Sequence, residues 1–186
     1  MMKMRPSRKS EAVTSGMVHL YYGDGKGKTT AALGLLIRAF GAGKSCLFVQ
    51  FLKGSPTSEL ETLRRLEIPY LRTDEVKKFV VSMTEEEREA CTASHALCFD
   101  RLLSAVAAHS PDCVVLDEVL DAVSLGMLPE EQVLQFLREC RGKTEVILTG
   151  HNPIKRFLEV ADYVTEMKNV CHPYSRGISA RKGIEY

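Results

Sequence analysis

The stretch Gly23-Asp24-Gly25-Lys26-Gly27-Lys28-Thr29-Thr30 constrains this chain more than any other feature. It lies between a short apolar run, Met17–Tyr22 (MVHLYY), and a segment from Thr29 to Phe40 with apolar residues at helical spacing. A strand that passes through a glycine-rich turn into a helix is the setting of a phosphate-binding loop. The glycines let the backbone curl so that its N–H groups point inward at an anion. The helix N-terminus adds partial positive charge. Lys28 brings a full charge, and the Thr29 hydroxyl suits a Mg²⁺ ion beside the phosphates. The usual spacing is G-x-x-x-x-G-K-[ST]. Here Tyr22 stands where the first glycine would be, so the loop is one residue short.

The rest of the chain supplies the matching scaffold. Gly41 and Gly43 stop the first helix, and Ser45–Phe51 (SCLFVQF) reads as the next strand. Ser58 with Glu61 reads as a capping box opening a helix that ends before Pro69. Thr84 with Glu87 reads as a second, opening a long helix over Glu85–Ala108. Cys113–Asp117 (CVVLD) and Glu145–Thr149 (EVILT) are apolar strands. Between them, Pro129 sits at the first turn of a helix running to Cys140. Asn152 and Pro153 read as N-cap and first-turn proline of another helix. Tyr163–Met167 is the last strand, and Lys168–Tyr186 is basic and irregular. Apolar strands alternating with helices predict a mainly parallel sheet with helices on both faces, an α/β fold of the P-loop NTPase-like (RecA-like) kind.

A chain of 186 residues suits one domain. We expect residues 1–16 to be a flexible basic arm, because four of the first ten residues are Lys or Arg and none is acidic. Residues 17–186 then form the single domain. The net charge of +1 gives no bulk electrostatic reason to expect nucleic acid or a membrane surface as a partner. The N-terminus lacks the apolar run of a secretory signal, and no stretch approaches a membrane span. The six cysteines form no C-x-x-C pair, which removes zinc-ribbon and thioredoxin-like readings. Cys46 and Cys113 sit in apolar runs as small core residues. Unpaired cysteines fit a reducing compartment, and the expected location is the cytoplasm.

A second acidic site follows the strand VVLDE. A carboxylate from Asp117 or Glu118, at the C-terminal end of a neighbouring parallel strand, can reach a Mg²⁺ held at the phosphate loop. Arg38 lies ten residues into the loop's helix; a nucleotide contact and a solvated surface position both stand. Thr149-Gly150-His151-Asn152 should border the site, with His151 a candidate to face the ligand and Asn152 read as a helix cap. His95 and His109, on the long helix, read as core or surface residues. No Ser–His–Asp set or paired-carboxylate hydrolase centre is visible.

Taken together, GDGKGKTTAALG, VQFLKG at 49–54, VVLDEV at 114–119, ILTGHN and the tail GISARKGIEY at 177–186 resemble the P-loop corrinoid adenosyltransferases. The motifs run in that family's order from about residue 17, and the shortened loop is itself a family feature. The resemblance implies that ATP, the co-substrate, gives its 5′-deoxyadenosyl group to the Co(I) centre of a reduced corrinoid and leaves as triphosphate. It implies that Gly23–Thr30 (Gly23, Asp24, Gly25, Lys26, Gly27, Lys28, Thr29, Thr30) and Arg38 hold the triphosphate, with Lys28, Glu118 and Phe79 the catalytic side chains. Thr29, Asp117 and Glu118 would handle Mg²⁺, with Mn²⁺ as an alternative. A homodimer is implied, its basic arm covering the partner's site, and a reductase or flavoprotein is the candidate electron donor.

The chain departs from the family in two places. Some members carry Phe-x-Trp against the corrin face; here the match is Phe79-Val80-Val81 and the chain has no Trp. Phe79 keeps the expected corrin contact, whereas Val81 cannot stack as Trp does. His151 stands where the family has an arginine. Two rival functions are a small-molecule kinase or NTPase on the same scaffold, and a nucleotide-binding regulator without chemistry.

Overall fold

The computed structural model describes residues 16–53, 57–73 and 80–186. Six strands form one sheet: β1 (Val18–Tyr22), β2 (Cys46–Gln50), β3 (Tyr70–Arg72), β4 (Cys113–Asp117), β5 (Glu145–Gly150) and β6 (Tyr163–Glu166). Every pairing is parallel, in the order β3-β2-β4-β5-β1-β6. The helices are α1 (Lys28–Gly41), α2 (Ser58–Arg65), α3 (Glu85–His109), α4 (Val119–Ser124), α5 (Glu130–Cys140) and α6 (Lys155–Val160).

Alternation along the strands sorts the core into two layers, because successive side chains point to opposite faces. Cys46 and Phe48 of β2, with Cys113 and Val115 of β4, pack against Ala32 and Leu36 of α1 and Leu63 of α2. Leu47 and Val49, with Val114 and Leu116, face the other way. They meet Phe99 and Leu102 of α3, Leu120 of α4, Phe136 of α5 and Phe157 of α6. Phe99 and Phe136 cross edge to face at 5.9 Å. All five residues of β2 and of β4 are buried, so each large apolar side chain there contributes roughly 1.5–3 kcal/mol. Helices therefore cover both faces, and the strand C-termini are left as the open edge where a ligand can sit.

Several local expectations change. Ser58 is the first residue of α2, not its cap; its hydroxyl donates to the Tyr186 carbonyl, and Thr57 holds the cap position without a side-chain bond. Glu61 accepts from Arg64 and Arg65 instead of closing a capping box. Helix α6 starts at Lys155 with Ile154 at its cap, two residues beyond the predicted Asn152 and Pro153. Pro129 occupies the cap of α5 rather than its first turn. Strand β4 is not the immediate neighbour of β1, since β5 lies between them. The Thr84–Glu87 capping box forms as expected, with both reciprocal bonds made. Of the predicted arm only Gly16 is described, its carbonyl accepting from Gly142 N at 3.1 Å; residues 1–15 and Phe79 lie outside the described residues.

Candidate active site

The phosphate loop leaves β1 and is held from outside by the chain's C-terminal third. Gly23 N donates to the His151 carbonyl at 2.9 Å, and Gly25 N to the Met167 carbonyl at 2.8 Å. Asn169 N donates to Asp24 Oδ1 at 3.1 Å. Gly23 has φ 115°, and a Cβ there would strike the Met167 carbonyl oxygen, so only glycine fits. Gly27, at φ 114°, caps α1 and aims the helix N-terminus at the cleft.

Lys28 is buried and folds back over the loop, Nζ donating to the Gly23 carbonyl at 2.7 Å and the Gly25 carbonyl at 2.9 Å. These carbonyls hold the ammonium at the centre of the curl, where a phosphate would compete for it. The cleft encloses about 240 Å³. It is walled by residues 24–30, by Glu118, His151 and His172, and by Ile184 and Glu185 of the tail. Lys26 faces Glu185 at 3.8 Å. Glu185 is held at about 2 by its bonds from Arg181.

The two adjacent acids after β4 live in different surroundings. Asp117 is fully buried, and both its oxygens are engaged: Oδ1 accepts from Thr149 Oγ1 at 2.8 Å and Oδ2 from Gln50 Nε2 at 3.2 Å. Glu118 takes a left-handed backbone at φ 61°, its N–H donating to Thr149 Oγ1 at 2.8 Å. That turn brings its carboxylate to the cleft wall, 3.4 Å from Lys53 Nζ. Burial, followed by the neighbouring Asp117 charge, pushes Glu118 up to about 7, with Lys53 pulling it back.

The structure therefore brings Asp24, Gly25, Lys26, Gly27, Lys28, Thr29, Thr30, Glu118 and His151 to one cleft. Asp117 stands behind Glu118. Arg38 is not brought in: it is exposed in the last turn of α1, about 15 Å along the helix from Lys28. His151 is turned toward Asp121, its N–H and its Nδ1 each 3.0 Å from Asp121 Oδ2. Glu118, Asp121 and His151 present ligand atoms all within 4.8 Å of one another. Gly150 permits this approach, because a Cβ there would sit 2.6 Å from Leu120 Cβ. Sequence reasoning missed Asp121, Lys53, Gln50 and the tail residues Ile184 and Glu185. Lys53 and the tail lie within the quoted motifs VQFLKG and GISARKGIEY, which was the available signal.

The model of the family "ATP:corrinoid adenosyltransferase BtuR/CobO/CobP" matches residues 14–186 of this chain. The chain belongs to the ATP:corrinoid adenosyltransferase family. Its relatives include the corrinoid adenosyltransferase of Escherichia coli K12, 37% identical over 172 residues, covering 92% of this chain and 86% of the relative. The corrinoid adenosyltransferase CobA of Salmonella typhimurium LT2 is 36% identical with the same coverage. That of Pseudomonas aeruginosa is 34% identical over 92% of this chain and 84% of its own length.

Proposed function

We propose that this chain transfers the 5′-deoxyadenosyl group of ATP to the Co(I) centre of a reduced corrinoid and releases triphosphate. The observation that carries this reading is the buried Lys28, clasped inside a phosphate loop one residue short in a cleft that Glu118 also walls, in a chain of the adenosyltransferase family. The backbone N–H groups of Gly23–Thr30 wrap the phosphates, and Lys28 exchanges the loop's carbonyls for phosphate oxygens. Holding the triphosphate at fixed points presents C5′ in one orientation, which is the main service such a displacement needs. Co(I) is itself the nucleophile, so no side chain has to remove a proton.

Thr29, Glu118 and the Asp117 behind it offer oxygen donors, a set that suits Mg²⁺ or Mn²⁺, and the His151 imidazole borders the same cleft. Thr29 and Glu118 would hold the ion, and its charge would neutralise phosphate oxygens when bound. Asp117, with both oxygens already accepting, serves chiefly to hold Thr149 and Gln50 around that position. Phe79 is assigned to the corrin face by resemblance.

The six cysteines are free, which supports a reducing compartment and a cytoplasmic location. No helix among the described residues is long and apolar enough to cross a membrane. Exposed Tyr163 and Val164 on the edge strand β6 offer an apolar surface for a homodimer, which sedimentation would test. The supply of Co(I) calls for a reductase or flavoprotein. The decisive experiment is anaerobic: mix protein, Mg-ATP and chemically reduced cobalamin, follow the visible spectrum, and identify the phosphate product. A light-sensitive cobalt–carbon product with triphosphate supports the reading. ADP or free phosphate with an unchanged corrinoid overturns it in favour of a kinase or NTPase.

A further inference from the structure

We propose that Lys53 is a catalytic residue of this adenosyl transfer, its ammonium binding the α-phosphoryl oxygens of ATP and countering the charge that arrives on O5′. The inference rests on the reading above.

The backbone around Lys53 is built to deliver that side chain. Leu52, just before it, is held at φ 56°, a left-handed conformation costly for a bulky residue. The Lys53 carbonyl is pinned by Arg72 Nη2 at 2.5 Å, and Phe51 N donates to the Asp117 carbonyl at 3.0 Å. Glu118, opposite, is likewise left-handed at φ 61°. Two strained residues at the ends of adjacent strands thus turn one cation and one anion toward each other, 3.4 Å apart. Strain of this kind persists where the surrounding structure enforces it, and it clusters at ligand sites. A Lys–Glu pair that is partly exposed contributes little to stability by itself, so stability is a poor reason for the arrangement. Lys53 remains 31% exposed and open to a ligand.

Position then selects the α-phosphate. In the sheet order, β2 lies three strands from β1, about 14 Å at the usual strand spacing. The phosphate loop follows β1. The cleft wall also includes His172, Ile184 and Glu185, and the tail that carries the last two reaches α2, where Ser58 Oγ donates to the Tyr186 carbonyl at 3.0 Å. Glu118, 3.4 Å from Lys53, is part of the cleft wall, so a nucleotide with its terminal phosphates in the loop can extend along the strand ends toward β4 and β2. The part of ATP that reaches Lys53 is the end carrying O5′ and C5′. In the reaction the Co(I) electron pair forms the cobalt–C5′ bond, and the C5′–O5′ pair leaves on O5′. No proton moves, and triphosphate departs with one more negative charge than it carried as the ester. A cation fixed at that oxygen gains most at the transition state and in the product.

The test compares wild type with Lys53→Met and Lys53→Gln, measuring transfer to reduced cobalamin and, without corrinoid, calorimetric affinities for ATP and for inorganic triphosphate. Folding is checked by thermal melting. The expected result is a kcat lowered by about 100-fold with KM for ATP within about threefold. Triphosphate affinity should fall by about tenfold and ATP affinity by less, because only triphosphate bears the extra charge. Lys53→Arg should recover part of kcat. A folded variant whose kcat stays near wild type, or which loses ATP and triphosphate affinity equally, overturns the role of Lys53 alone. A wild type that forms no cobalt–carbon bond overturns the underlying reading, and this proposal with it.

Discussion

The two ends of the cleft are built by different means. At the β1 end the loop is held almost wholly by main chain: Gly23 and Gly25 bond to the His151 and Met167 carbonyls, and Lys28 bonds to the loop itself. At the β2 end, side chains and strained backbone carry the structure. Gln50 ties Asp117 to Glu59, and Leu52 sits at φ 56°. Here Gln50 Oε1, Thr57 Oγ1, Thr73 Oγ1 and His95 Nε2 are buried without a hydrogen-bond partner among the described residues. A main-chain anion site comes nearly complete from local geometry. A side-chain site depends on many buried polar contacts, each costly if left unmade.

The largest expected effect breaks the main-chain end. Lys28→Ala should lower kcat/KM by roughly two to three orders of magnitude, measured in the anaerobic adenosylation assay; near-normal activity would remove Lys28 from the phosphate site. Gly23→Ala comes next. With φ 115° and the Met167 carbonyl in the way, it should cost about 1–3 kcal/mol of stability, read as a lower urea midpoint together with weaker ATP binding.

The β2 end should respond to pH. His95 is fully buried against Phe51, and burial holds its pKa below the ordinary 6.5, with the Cys91 carbonyl opposing. The unfolded imidazole takes up a proton that the folded one refuses. Its contribution to stability is therefore intact above about pH 6.5 and is lost as pH falls below that. His95→Leu should flatten the fall between pH 7 and 5.5 in urea titrations, whereas an unchanged slope would assign the acid sensitivity elsewhere. The smallest effect is expected where the two ends are stitched together. Ser58→Ala removes the exposed bond from α2 to the Tyr186 carbonyl and should cost under about 1 kcal/mol, with adenosylation unaffected.

The same contrast decides what could be read from the residues alone. The glycine loop is legible because its spacing is local and its chemistry narrow. The central strands are legible as continuous apolar runs, and α3 from its Thr84 cap and the Pro111 that follows it. Strand β3 has only three residues, Tyr70–Arg72, too few for a period to register. Helix α4 buries Val119, Leu120, Ala122 and Val123, so it lacks the two-faced pattern that marks a surface helix. Ser58 and Asn152 look like caps by type, but tertiary partners claim the first and the chain turns later than the second. Lys53 stands in the sequence only as part of VQFLKG, and its role emerges where a strained backbone aims it at Glu118. Asp24 meets Asn169 across 145 residues, a contact that carries no local signature.

Strand β1 lies between β5 and β6, so both of its hydrogen-bonded edges are supplied by residues made more than a hundred positions later. During synthesis this first strand has no neighbour to pair with, and the loop after it has no Met167 to rest on. Such non-local pairing is slow and leaves an apolar strand waiting. The ribosome therefore finishes nearly the whole domain before an ATP site exists, and a nascent chain stalled short of β6 should be blind to nucleotide.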